Sequence, residues 1–519
     1  MYDLRPILMV NGFMLVLLGI AMGVPALADL VVQHPDWQVF TVAAGFTIFV
    51  GGALVLGTRT SGSSQPAHLS VPQAFMLTTS AWLQIGVFGA LPFFFSDLDL
   101  SLTDALFESV SGITTTGATV LTGLDTAPPG LLLWRAILQW LGGVGIIVMA
   151  IAVLPMLQVG GMQLFRLESS DTSDKILPRA TQIAAAIGWL YLGISFACFI
   201  GYWLAGMSLF DALAHALTTI ATGGFSTHDA SIGYFDSAAV DTVSTIFMVL
   251  GSLPFVLYLQ AVRGGWRQLV SDDQVQAFVL IAAAAITAMT FYLAAQDVAA
   301  AAMEAVDTVQ EETQNTSEML LAEEGAVVEA TLSVGRALRM AAFNVVSIMT
   351  GTGYATEDYT TWGTFPVAFF FVIMFVGGCA GSTSCGIKIF RFQVMAQAAK
   401  VELVRLMRPH AIVLPRFNRR PLPEGVVQSV MSFFVLFAVA YGALALALAA
   451  VGLDMVTALS GAASAIANVG PGLGEIIGPA GTFESLPSAA KWILMAGMVL
   501  GRLELFTVLV FFAPSFWRG

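Results

Sequence analysis

Four short glycine turns, each set between two apolar stretches, constrain this chain more than any other feature. They read Thr114-Thr115-Thr116-Gly117-Ala118, Ala221-Thr222-Gly223-Gly224-Phe225, Thr350-Gly351-Thr352-Gly353-Tyr354 and Ala467-Asn468-Val469-Gly470-Pro471. In each case an alanine stands twelve residues before the last glycine: Ala105, Ala212, Ala341 and Ala458. Twelve helical residues rise about 18 Å, roughly half of a hydrocarbon core of about 30 Å. The stretch before each turn therefore predicts a half-crossing of a bilayer. One chain repeating apolar span, short helix, glycine turn and apolar span four times can wrap those turns around one axis.

The apolar runs settle the class. Hydrophobic residues make up 57% of the chain and charged residues 11%, and runs of nearly twenty apolar residues recur from end to end, each long enough to span a membrane. Spans are predicted near residues 7–29, 36–57, 71–95, 131–157, 182–206, 236–262, 276–295, 364–395, 425–452 and 487–513. The expected fold is an all-α polytopic membrane protein. It has four pseudo-repeats of outer helix, re-entrant pore helix, filter turn and inner helix around one central pore, plus two extra N-terminal helices. The units are 1–60 (two N-terminal helices), 71–157, 182–262, 276–395 and 425–513. An even number of full crossings puts both termini on one side. Of the 21 Lys and Arg residues, all but Arg135, Arg336, Arg339, Lys491 and the intramembrane Arg502 then share that side, Lys388 and Arg391 among them. The positive-inside rule makes that side the cytoplasm. Ala26-Leu27-Ala28 resembles a signal cleavage site, but the apolar region before it is longer than a signal peptide needs. Residues 7–29 are expected to remain as an anchor.

The turns have a physical logic. Irregular backbone inside a membrane is tolerated where it is buried in protein or lines water. Glycine reaches positive φ without a steric penalty, so successive carbonyls can be aimed inward to replace a cation's water. Asp104 and Asp211 sit where a carboxylate can cap a short helix, and the negative end of that helix then points at the centre. Packing notches between spanning helices are the competing reading of such glycines; four matches at one spacing favour a filter. Ten small or polar residues, Gly377 to Gly386, interrupt the third inner span and are poor helix formers. They read as an unwound loop or as a close helix contact. Arg502 lies mid-span in the last helix, where a charge is costly and usually functional. Glu504, two residues away, is on another helix face. His215 and His228 read as structural.

Other functions are excluded. Asp297, Glu304, Asp307, Glu311, Glu312, Glu318, Glu323, Glu324 and Glu329 supply much of the net charge of −13, which disfavours nucleic acid. The polar segment 296–335 reads as a solvated external loop or as an acidic vestibule that concentrates cations. Cys198, Cys379 and Cys385 have no metal or disulfide spacing. The four lysines are never followed by Ser or Thr, so no phosphate-cradling ATPase site or other nucleotide site is present. No catalytic constellation stands out, and the chain reads as a non-enzyme.

SGITTTGATV (111–120), ATGGFSTHDAS (221–231), TGTGYATEDY (350–359) and NVGPGLG (468–474), with LGGVGIIV (141–148) and MVLGRLELF (498–506), resemble the TrkH/TrkG branch of the Trk/Ktr/HKT potassium transporter superfamily. The likeness covers nearly the whole chain; segment 296–335 looks longer than is usual there. The resemblance implies potassium uptake across the bacterial inner membrane, one pore per subunit, a homodimer in membrane lipid, and a cytoplasmic TrkA-like partner that binds nucleotides and controls opening. It implies a K+ selectivity filter of Thr115, Thr116, Gly117, Thr222, Gly223, Gly224, Gly351, Thr352, Gly353, Asn468, Val469 and Gly470, with K+ held by backbone carbonyls as the transported ion. It also implies a gate of Gly377, Gly378, Gly381, Ser382, Thr383, Ser384, Gly386 and Arg502, the arginine projecting into the pore as a barrier to cations. Two alternatives remain. One is a secondary transporter coupling K+ to Na+ or H+, weakened because no carboxylate in the inner helices suits a proton site. The other is a channel-like subunit of a primary pump.

Overall fold

The computed structural model describes residues 3–58, 70–149, 176–311, 318–418, 420–423 and 425–517. Two N-terminal helices, α1 (Arg5–Val31) and α2 (Trp37–Thr58), pack side by side. Gly12 and Gly51 face each other so closely that a Cβ on either would lie 2.7 Å from the other's carbonyl oxygen. Small residues let helix backbones approach in this way where no hydrophobic effect drives them together.

The four units follow. The first has α3 (Val71–Phe95), α4 (Leu102–Ile113) and α5 (Pro129–Val148). The second has α6 (Ile176–Leu204), α7 (Leu209–Ile220), α8 (Ala238–Gly251) and α9 (Phe255–Ser271). The third has α10 (Asp273–Glu311), α11 (Glu318–Thr350), α12 (Thr364–Ile373) and α13 (Ile389–Met407). A two-stranded hairpin, Arg416–Phe417 with Arg420–Pro421, leads to the fourth. That unit has α14 (Val426–Ala450), α15 (Met455–Ala467), α16 (Ser488–Arg502) and α17 (Phe506–Phe512). Large apolar side chains such as Phe49, Trp189, Phe291, Val435 and Leu446 are exposed, while buried Ser, Thr, Asn and Gln side chains stand among the apolar residues of the interior. A bundle with an apolar outside and buried polar groups suits lipid around it and water or ions within.

Two expected continuous spans are broken, and the third inner span is interrupted where Gly377 to Gly386 read as an unwound loop. The chain bends by 91° between α8 and α9 and by 106° between α16 and α17. Pro254 lacks the donor that would carry α8 onward. At the second bend Glu504 and Leu505 both take left-handed φ, 60° and 56°, which ends a right-handed helix. Arg502 therefore stands at the end of α16, not in mid-helix. In the third unit no helix joins α12 to α13: residues 374–388 are irregular.

Segment 296–335 also departs from a loop. The backbone is helical to Glu311 and again from Glu318, so the third short helix is the end of the 33-residue α11. Ala, Glu and Leu, strong helix formers, dominate that stretch. The acidic-vestibule reading rests on side chains from Asp297 to Glu329, outside those described. Residues 150–157 of the expected fourth span likewise lie outside the described residues.

Candidate functional site

The short helices are started by hydroxyls and one carboxylate. Ser101 accepts from the Asp104 amide at 3.2 Å, Ser208 from the Asp211 amide at 3.0 Å and Asp454 from the Thr457 amide at 3.1 Å. The Thr457 hydrogen bonds hold the Asp454 carboxyl below the usual carboxylate range. Asp104 and Asp211 are therefore not the caps; each lies in the first turn and accepts from the capping serine hydroxyl. Asp104 also pairs with Lys491 at 2.5 Å, tying α4 to α16.

After each short helix the backbone repeats one conformation. Positive φ recurs at two positions per turn: Thr115 (51°) and Gly117 (82°), Thr222 (49°) and Gly224 (78°), Gly351 (75°) and Gly353 (80°), Asn468 (52°) and Gly470 (105°). The turns meet in a closed circuit. A Cβ on Gly117 would strike the Gly223 carbonyl, one on Gly224 the Thr352 carbonyl, and one on Gly353 the Val469 carbonyl. One on Gly470 would lie 2.8 Å from the Thr116 carbonyl. Each turn thus leans on the next, and the fourth closes on the first. A cavity of about 390 Å³ lies elsewhere, at the hairpin. The one at the turns, about 300 Å³, is lined by all four glycines and by Thr119, Ser226, His228 and Asp229.

Buried polar side chains brace the ring. Glu108 on α4 accepts from Arg135 Nε at 2.7 Å, from the Thr119 hydroxyl at 3.0 Å and from the Val120 amide at 3.1 Å. Arg135 on α5 reaches on to the Ser226 carbonyl at 2.8 Å and lies over the Phe225 ring at 4.1 Å. One turn further along α5, Gln139 donates to the Gly223 carbonyl at 2.6 Å and accepts from the Phe225 amide at 3.1 Å. Asn468 donates to the Thr116 hydroxyl and the Met498 carbonyl, both at 2.9 Å. Thr352 shares a hydrogen bond with Thr350. Both histidines have structural partners. His215 bonds the Asp211 carbonyl at 2.8 Å and the Ser226 hydroxyl at 3.0 Å. His228 bonds Asp125 at 2.6 Å and stacks on Tyr234. That hydrogen bond holds the Asp125 carboxyl below its usual range.

On the opposite face of the ring lies the segment Gly377 to Gly386. Its amides and hydroxyls are bonded to helix ends: Cys379 to the Ser252 carbonyl, Thr383 to Gly251, Cys385 to Thr350 and Gly386 to Ala467, at 2.8–3.2 Å. Those bonds satisfy irregular backbone in a buried place. Gly381 and Gly386 have positive φ, 74° and 73°, and the Gly381 carbonyl accepts from the Phe255 amide. Gly377 packs on the Cys385 carbonyl and Gly378 on Ser384. Ser382 bonds the Cys379 carbonyl at 2.6 Å and Ser384 at 2.8 Å. Cys385 touches the Thr115 hydroxyl at 3.5 Å. Arg502 is buried against this segment, donating to Cys385 Sγ at 3.1 Å and to the Thr383 carbonyl at 3.4 Å, and across to the Gly142 carbonyl of α5 at 3.2 Å.

Three further charges correct the sequence reading. Lys388 and Arg391 are buried beside this segment, not at a cytoplasmic surface. Lys388 bonds the Ser384 carbonyl, and Arg391 pairs with Glu504. A buried carboxylate therefore does stand at the bend between α16 and α17. Arg135 is likewise buried and paired, not an external surface charge. Sequence reasoning missed Glu108, Arg135, Gln139, Lys388 and Arg391 as members of this site; it included Cys385 only within the interrupted segment and weighed Glu504 only against Arg502. A signal existed for the first three: charged or amide groups inside apolar runs.

A helical bundle with spanning helices, an apolar outer face and a closed ring of irregular backbone at its centre is a multi-pass membrane protein built around a polar path. Comparison with known proteins identifies its kind. Residues 37–518 match the TrkH family model, described as cation transport protein, and the chain belongs to that family. It is 43% identical to the Trk system potassium uptake protein TrkI of Halomonas elongata, over 99% of this chain and 97% of that one. It is 35% identical to the Trk system potassium uptake protein TrkH of Escherichia coli K12, over 99% of each. The crystal structure of the potassium transporter TrkH from Vibrio parahaemolyticus superposes with a TM-score of 0.84 at 33% identity, covering both chains completely.

Proposed function

We propose that this chain is the K+-selective, channel-like translocation subunit of a Trk-type potassium uptake system in the bacterial inner membrane. The observation that carries the reading is the closed circuit of four turns, each with positive φ at the same two positions. Thr115 to Gly117, Thr222 to Gly224, Gly351 to Gly353 and Asn468 to Gly470 form the filter, and their carbonyls replace the water around K+. The helix ends of α4, α7, α11 and α15 point their negative poles at it. The family names of the similar proteins support potassium as the cargo.

Gly377, Gly378, Gly381, Ser382, Thr383, Ser384 and Gly386 cross beneath the ring and, with Arg502, close the pathway. Opening moves this segment away and swings the guanidinium off the axis. A TrkA-like cytoplasmic partner binding nucleotides drives that movement, and two copies of the chain form a homodimer with both termini in the cytoplasm. The units 1–60, 71–157, 182–262, 276–395 and 425–513 are the N-terminal pair and the four pore repeats.

The test is uptake of radioactive Rb+ into liposomes holding the purified protein and trapped K+. Uptake displaced by K+ but not by Na+ supports the reading. Uptake that appears only with an imposed Na+ or pH gradient favours a coupled transporter, for which the buried Glu504 is the candidate carboxylate.

A further inference from the structure

The second turn differs from the other three at its middle position. Thr116, Thr352 and Val469 occupy that position elsewhere, and each has a side chain with something to hold. Thr116 bonds Thr114 at 2.7 Å, Thr352 bonds Thr350 at 2.7 Å, and Val469 is buried among apolar neighbours. The second turn has Gly223, followed directly by Gly224. Two consecutive glycines have the greatest backbone freedom of any pair, so the peptide between them is the one most able to rotate. Gln139 of α5 occupies the missing side chain's place. A Cβ on Gly223 would lie 2.5 Å from Gln139 Oε1 and 2.8 Å from its Nε2. The same amide bonds the Gly223 carbonyl and the Phe225 amide, one on each side of Gly224. That carbonyl is also the group against which Gly117 of the first turn rests.

We infer that Gln139 is a positioning residue for selectivity: it acts as the absent side chain of Gly223, locks the Gly223–Gly224 peptide, and so sets the spacing between the first and second turns. The inference rests on the reading of the turns as a K+ filter. Selectivity depends on the number and placement of the carbonyls around the ion. A rotated peptide would remove one carbonyl from its place and admit an ion that tolerates fewer ligands. The consequence is a change in discrimination, not simply a loss of folded protein.

Gln139→Met keeps the length of the side chain and removes both hydrogen bonds. Gln139→Glu keeps an acceptor for the Phe225 amide but gives up the donor to the Gly223 carbonyl. Rb+ uptake into liposomes is measured per amount of monodisperse protein, with K+ and Na+ as competitors. The expected result for both variants is a loss of K+ over Na+ discrimination of roughly tenfold, the scale of one buried hydrogen bond. Wild-type discrimination in either variant overturns the inference. Reduced uptake at unchanged discrimination also overturns it, since that is what a merely structural residue would give. Should the wild-type protein itself fail to discriminate, the K+ filter reading fails first, so the two failures are told apart by the control.

Discussion

Replacing Arg502 by alanine should open the resting pathway, and the size of the effect follows from the contacts beneath the ring. The Thr115 carbonyl lies 3.9 Å from Cys385 Sγ, which lies 3.1 Å from Arg502 Nη1. The guanidinium is therefore within roughly 7 Å of that carbonyl oxygen, a bound set by adding the two distances, and within about 10 Å of a cation the oxygen holds. At an effective dielectric of about 20, two unit charges that far apart repel by about 2 kcal/mol. A barrier lowered by that amount passes ions roughly thirtyfold faster. Loss of the bonds to Thr383 and Gly142 works in the same direction, because it frees the loop from α5. The assay is Rb+ uptake by liposomes containing the protein without any partner, comparing wild type, Arg502→Ala and Arg502→Lys. The lysine variant should stay near wild type because the charge remains. Equal basal uptake in wild type and Arg502→Ala would refute the electrostatic argument, and a rise of similar size in both variants would show that shape, not charge, closes the path.

Three further outcomes are expected. Gly224→Ala places a Cβ against the Thr352 carbonyl at a residue with φ of 78°; strain of about 1–2 kcal/mol and overpacking of about 1–3 kcal/mol should abolish Rb+ uptake while the protein still reaches the membrane, as a uptake-to-yield ratio will show. Glu108→Ala leaves Arg135 buried without its carboxylate and should cost about 3–5 kcal/mol, read as a lowered unfolding temperature in detergent that Glu108→Ala with Arg135→Met largely restores. Glu504→Gln removes the negative partner of Arg391 and raises the net positive charge beneath the ring, so basal uptake should fall, opposite in sign to Arg502→Ala; an increase would count against charge as the barrier.

Much of the fold was legible because its signals are local. Apolar run lengths report membrane thickness, and the spacing from Ala105 to Gly117 or Ala458 to Gly470 reports a short helix of half-crossing length, though the same spacing from Ala341 to Gly353 falls at the end of a 33-residue helix. Glycine at 117, 224, 353 and 470 reports positive φ, which the backbone adopts at each. Thr115 and Thr222 take the same conformation without being glycine, and nothing in their identity announces it; Asn468 does so too, and asparagine at a helix end is a residue that tolerates it. The bend after Arg502 was equally silent: Gly-Arg-Leu-Glu-Leu-Phe contains no proline, and the left-handed Glu504 and Leu505 are held by what surrounds them.

The sequence by itself determined that this chain spans a membrane, that four turns punctuate it, and to which family it belongs, because hydropathy, period and glycine are properties of short windows. Only the tertiary structure decided which charges meet. Arg391 finds Glu504, Lys491 finds Asp104, and Gln139 finds Gly223, pairs far apart in the chain. A buried charge or amide must find a partner wherever the fold brings one, and no window of sequence contains both halves of such a contact.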